Sequence, residues 1–263
     1  MRFVTFFALI VAAVATLPAA LRAATVELLV TVENLAPTNS VAFAPLRVGF
    51  NNGSFDAFNE AQAATAGIVS IAEGGSGSDW FPAFAAADPT ATLGTVVPDP
   101  PGPLVPGATA SAMFSIDTAL NPFFTFAAMV VPSNDHFIGN DSPMQYLLFD
   151  AGGNLNITSI LQRGEDVWDA GSETTDPVNA AFLVVGTNAL RTPQNGVVNF
   201  NISELSAYNG LETPAGYTFD SQLTADTEIY RISFALVPEP SCLALFAAGG
   251  AGILVALRRR FRS

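Results

Sequence analysis

The sequence predicts a mainly β protein: an antiparallel β-sandwich with one short helix, preceded by a signal helix and followed by a transmembrane helix. Three observations carry that expectation. Apolar and polar residues alternate with period two in several separate segments. Gly and Pro punctuate the chain at short intervals, as the turns of a sandwich require. Both ends hold long uncharged apolar runs.

The strands are read in order. In "VELLVTVENL", Val26, Leu28, Val30 and Val32 alternate with Glu27, Thr31 and Glu33, so one face is buried. "FTFAAMVV" (124–131) is apolar on both faces and belongs in the centre of a sheet. "MQYLLFD" (144–150) and "AAFLVVG" (180–186) are further strand candidates. "VVNFNI" (197–202) turns Val198, Phe200 and Ile202 inward, and "EIYRISFAL" (228–236) does the same with Tyr230, Ile232, Phe234 and Leu236. The segment from Phe55 to Gly75 is rich in Ala, Glu and Gln, which favour helix. It predicts one helix over roughly 56–72, stopped by Gly74–Gly75. "PDPPGPLVPG" (98–107) has five prolines in ten residues and must be a surface connection rather than a central strand.

The ends read as address labels. Arg2, the apolar run 3–17 and the small residues of "PAALRAA" form a signal peptide over 1–23. Cleavage is expected after Ala23, with Ala20 and Ala24 as rivals and an uncleaved anchor as the alternative. Residues 24–236 form the sandwich domain. Residues 237–263 read "VPEP", then the uncharged run 241–257, then Arg258, Arg259, Arg260 and Arg262. That run spans a membrane only tightly, and the arginines hold its end in the cytoplasm. The order of these parts resembles the PEP-CTERM sorting tail of exported bacterial proteins. The resemblance implies export, processing by an exosortase near Pro238–Pro240, and release or surface attachment; a plain C-terminal anchor is the alternative.

Without these ends the charge is one-sided. The chain has no lysine, and four arginines remain in the body against 22 acids, a formal charge of −18. Nucleic acid is a poor partner for such a surface and none is expected, because phosphate binding needs Lys and Arg. Divalent cations are compatible, as is acidity that simply keeps an exported protein dispersed. The only cysteine, Cys242, lies in the tail, so the body forms no internal disulfide.

Two polar loops stand out. "PSNDHFIGND" follows the apolar run "FFTFAAMVV", and "VWDAGSETTD" follows later. Asp135 in the first and Asp169 and Glu173 in the second offer three carboxylates. Calcium takes six to eight oxygens, so carbonyls and water would complete its shell. Acids also crowd into ordinary turns, and a plain turn is the competing reading.

"MVVPSNDHFIGND" followed by "WDAGSE" resembles the spondin N-terminal domain, whose signature joins a Pro-Ser-x-Asp loop to an Asp-Ala-Gly turn. Weaker similarity runs through "APLRVGF" (44–50), "AGIVSIAEGG" (66–75) and "VPGATASAMFSI" (105–116). The resemblance implies a calcium-binding β-sandwich of exported and matrix proteins, with Asp135, Asp169 and Glu173 as the calcium ligands. His136 stands where animal members often carry Trp, and Glu173 where they carry Asp. Residues after 180 carry no such resemblance and are expected to supply closing strands.

His136 is the only histidine. No nucleophile elbow surrounds the nearby Ser133, and the body has no cysteine, so the residue types favour loop packing over catalysis or zinc. Trp168 is expected to brace the metal loop from the core, with a ligand-stacking role as the alternative. Trp80, with Phe81 and Phe84, is either core or an exposed contact patch. Glu73 and Asp79 are secondary candidates at the same end of the sandwich. The expected function is a non-catalytic, calcium-binding adhesion or matrix-associated surface protein. Its expected partners are an exopolysaccharide or matrix component, the exosortase, and the membrane before processing. The alternative is a secreted enzyme acting on extracellular polysaccharide through paired carboxylates.

Overall fold

A computed structural model of the chain describes residues 25–238. The predicted signal helix and transmembrane helix lie outside these residues. Among the described residues no helix is long and apolar enough to cross a membrane.

The elements, in chain order, are β1 (Thr25–Asn34), β2 (Ala42–Phe43), β3 (Leu46–Asn51), α1 (Ala66–Gly74), α2 (Trp80–Ala87), β4 (Thr92–Val96), β5 (Thr109–Asp117), β6 (Phe123–Val131), β7 (His136–Gly139), β8 (Ser159–Arg163), β9 (Trp168–Asp169), β10 (Asn199–Phe200) and β11 (Glu228–Val237). One sheet has four strands in the order β5–β1–β11–β8. The other has seven: it runs β10–β9–β7–β6–β3–β4, with β2 paired to β6. All of these pairings are antiparallel.

The two sheets close on one apolar core. Leu28, Val30 and Val32 of β1 are buried, as their alternation requires. They share that core with Phe124 and Phe126 of β6 and Ile232 and Phe234 of β11. The ring of Phe124 meets that of Phe234 edge-on at 4.9 Å. Each such ring contributes about 1.5–3 kcal/mol on burial. β6 lies between β3 and β7 and needs apolar residues on both faces, because helices cover the side turned away from the core. The segment after residue 180 supplies β11, between β1 and β8, and β10 at the edge of the larger sheet.

The helical layer differs from the sequence expectation. Residues 56–65 are not helical; α1 begins only at Ala66. Thr65 caps it, its side chain accepting from Ile68 N, and Gly75 ends it in the left-handed region at φ 58°. A second helix, α2, follows, and its Pro82 falls in the first turn, where a missing N–H costs nothing. Ile68 and Ile71 of α1 and Trp80 and Phe84 of α2 pack over Ala127 of β6 and Phe137 of β7. Trp80 is fully buried, so of its two possible roles packing is the one observed.

Other elements also differ. "MQYLLFD" makes only isolated bridges at Leu147 and Phe149, and "AAFLVVG" only one at Ala181. Leu236 is half exposed near the end of β11. Phe200 does not turn into the sandwich; it faces the helix side with Val198 and is 47 % exposed.

Candidate metal centre

The edge ribbon β7–β9–β10 positions the site. His136 pairs with Asp169, and Asp169 with Asn199; Phe137 pairs with Trp168, and Trp168 with Phe200. Side chains alternate across a strand, so His136, Asp169 and Asn199 leave one face while Phe137, Trp168 and Phe200 leave the other. Polar groups thus gather on the sandwich side of the edge and aromatics on the helix side.

The two loops named from sequence meet. Asp135 Oδ2 accepts from Ser172 N and from Glu173 N, both at 2.8 Å. Ala170 N donates to the Asp135 carbonyl at 3.1 Å. Asp169 Oδ1 accepts from Gly171 N at 2.7 Å. Gly171 is required here twice over: its φ is 63°, and a Cβ would lie 2.6 Å from Val197 N. Asp135, Asp169 and Glu173 are each 1 % exposed.

Each of the three has a different environment. Burial pushes the Asp135 carboxyl up to about 7, with the backbone donors of Glu173 and Ser172 pulling against it and the Asp169 charge adding to the rise. Glu173 is already matched: Oε1 accepts from Asn134 Nδ2 at 2.9 Å, and Oε2 pairs with Arg191 at 3.0 Å. Its carboxyl is nonetheless raised by burial, against the pull of Asn134 and Arg191. Arg191 also reaches Glu73 at 3.2 Å, so Glu73 joins this network through the arginine. Asp79 lines a separate open depression with Glu73 and Arg191.

Two side chains beside Asp169, those of His136 and Glu204, were not among the ligands that the motifs nominated. His136, Asp169 and Glu204 each place a ligand-capable atom within 4.8 Å of the other two. Asn201 links the acids, its Nδ2 lying 2.9 Å from Glu204 Oε1 and 3.3 Å from Asp169 Oδ2. His136 Nε2 lies 2.8 Å from the Asn201 carbonyl. A carbonyl only accepts, so Nε2 carries the hydrogen and Nδ1 presents a lone pair. That Nδ1 is buried and, among the described residues, has no hydrogen-bond partner. It faces Asp135 Oδ1 at 4.0 Å, beyond hydrogen-bond range. Burial lowers the His136 pKa, with the charges of Asp169 and Glu204 opposing, so the ring favours its neutral, metal-ligating form.

A lone pair facing a carboxylate in a buried space is an arrangement that a cation relieves. Among the described residues the group whose ligand-capable atoms all lie within 4.8 Å of one another is His136, Asp169 and Glu204, with Asp135 beside His136. Glu173 joins such a set only by releasing Arg191. Glu204 escaped the sequence reading because it lies in a 3-10 helix (Ser203–Tyr208) just after β10, and only the β9–β10 pairing brings it beside Asp169.

Comparison with known families matches residues 236–260 to the PEP-CTERM protein-sorting motif. The chain is therefore an exported protein whose tail holds it transiently at the membrane and is processed by an exosortase. A search of curated proteins finds no match to the chain.

Proposed function

We propose that this exported protein is a calcium-binding, non-catalytic surface protein of the spondin N-terminal type, acting in adhesion or association with an extracellular matrix or exopolysaccharide. The observation that carries the reading is the convergence of two loops far apart in sequence: the Asp135 carboxylate is held by the backbone of Ser172 and Glu173, beside Asp169. The residues fit a hard cation. Asp135 and Asp169 would hold it, with Glu204 as a third carboxylate and Glu173 as the acid that the spondin resemblance implies. The ion would neutralise acids that otherwise repel one another and would tie β7, β9 and the turn after β10 together.

For an affinity of about 10⁻⁴ M and roughly millimolar free calcium, linkage stabilises the fold by about 1.4 kcal/mol. For a domain of this size that raises Tm by about 3–6 °C. Thermal unfolding with calcium and with chelator tests it. A Tm rise that disappears in Asp169→Asn supports the reading; an equal rise in that variant removes the metal assignment.

A second reading rests on one specific observation, the His136, Asp169 and Glu204 group within 4.8 Å. A nitrogen donor beside Asp169 and Glu204 suits a borderline ion such as zinc better than calcium. Zinc binding that outcompetes millimolar calcium and is lost in His136→Gln would favour it.

A further inference from the structure

Beside the same edge ribbon is a cleft of about 240 Å³ that reaches from Trp168 and Phe200 to Tyr146 and to Gln162 of β8 in the opposite sheet. None of its lining residues belongs to the His136, Asp169 and Glu204 group, and Trp168 leaves the ribbon on the face opposite Asp169. At its wall the Phe200 ring stacks on Trp168, centroids 3.6 Å apart and 26° between planes. Trp168 is fixed from behind: its Nε1 donates to the Gly139 carbonyl at 3.2 Å, and Phe58 meets its ring edge-on at 5.1 Å. Phe200 is 47 % exposed, so a rigid aromatic platform faces open space.

The polar lining is equally specific. Gln162 lines the cleft, is 4 % exposed and interacts through its amide with the Tyr146 hydroxyl, so the two polar groups face the cleft together. An amide both donates and accepts, so a ligand hydroxyl entering the cleft meets a partner of either kind. Tyr146 adds a hydroxyl, oriented by Gln145 Nε2 at 3.2 Å. Glu60, Asp141 and Asp166 supply carboxylate acceptors, and among the described residues no cation lines the cleft.

We infer that this cleft is a binding subsite for a single neutral or amino-sugar pyranose unit of an extracellular polysaccharide. An apolar ring face with hydroxyls around its rim matches an aromatic platform edged by acceptors. The volume lies below the roughly 300 Å³ at which pockets begin to hold larger ligands, which suits one ring. Three carboxylates without a counter-cation exclude uronate-rich polymers, whose own charge would be repelled. Asp141 is already held above the ordinary carboxylate range by burial and by the charges of Asp56 and Glu60, so added negative charge is further disfavoured. The inference does not depend on calcium.

The test is calorimetric titration of the full chain, in detergent, with three probes: a neutral glucan trisaccharide, a chitosan trisaccharide and an oligo-uronate. Each is run with calcium and with chelator. The expected result is binding of a neutral or amino-sugar probe, unchanged by chelator, and none of the oligo-uronate. Phe200→Ala is expected to weaken it about tenfold. Because Phe200 is half exposed, that variant should fold, which its unchanged Tm would verify. Gln162→Leu should weaken the same binding while keeping the packing. No binding of either uncharged or amino probe, preference for the uronate, or binding untouched by both variants would each overturn the inference. Sugar binding that needs calcium and survives Phe200→Ala would place the sugar on the metal instead and also overturn it. Release of new reducing ends from the trisaccharides would replace binding with hydrolysis. A failed calcium shift with intact sugar binding would sink only the metal reading.

Discussion

His136 and Asp169 stand opposite each other across the β7–β9 ladder, so both side chains leave the sheet on one face. That single register places an imidazole and a carboxylate side by side, with the half-buried Glu204 close to both. The chemistry of the site follows from this pairing more than from any one loop.

Asp135 sets a pH dependence. The unfolded chain releases this proton near 3.8, whereas the folded metal-free form holds it to about 7. Between those values the folded state binds more protons, so this residue makes stability fall as pH rises. Denaturant titrations in chelator across pH 4–8 should show that decline, and Asp135→Asn should flatten it. Calcium should restore stability most at the upper end of the window, where the carboxylate is charged.

Arg191 shields Glu173. Its side chain is partly exposed while that of Glu173 is buried, so Arg191→Ala leaves a buried carboxylate without its cation. The expected cost in chelator is about 1–2 kcal/mol, reduced from a fully buried pair by solvent screening. Calcium should recover more stability in this variant than in the parent, because Glu173 becomes free to reach the ion. Chemical denaturation of both forms, with and without calcium, measures the difference.

Asn134 knits the site to the rest of the fold. Its Oδ1 accepts from Tyr208 Oη at 2.7 Å and Asp176 N at 2.9 Å, while its Nδ2 donates to Glu173. Asn134→Leu strands all three and should cost about 2–3 kcal/mol. Tyr208→Phe removes one bond and should cost about 1 kcal/mol. Urea midpoints for the pair would show the ranking.

Gly171 tests the turn. Alanine there meets both a left-handed backbone and the Val197 main chain, so Gly171→Ala should destabilise by at least about 2 kcal/mol. It should also abolish the calcium-dependent Tm rise, since the turn aims the Asp169 carboxylate.

Much of the sandwich was legible because one-sided burial imprints period two on a strand. β1 shows it in Val26 to Val32, and β6 shows the opposite sign of a central strand, apolar on both faces. The helices were less legible. Ala, Glu and Gln favour helix only weakly, and residues 55–65 spend their apolar side chains, Phe55 and Phe58, on the aromatic cluster instead. The α2 segment was hidden by Pro82, which reads as a breaker unless its place in the first turn is known. Phe200 alternates correctly with Asn199 and Asn201, but alternation does not say which face is the core and which holds a cleft.

The sequence by itself determined the sorting tail, the acidic body and the two loops that carry Asp135, Asp169 and Glu173, because these are local signals: composition, order and turn chemistry within a dozen residues. Tertiary structure alone decided which acids share a space. Glu173 is drawn to Arg191, while Glu204 and His136 are delivered to Asp169 by strands that pair across long stretches of chain. Strand pairing is non-local, so its partners are chosen by burial and backbone hydrogen bonds that no short window of sequence contains.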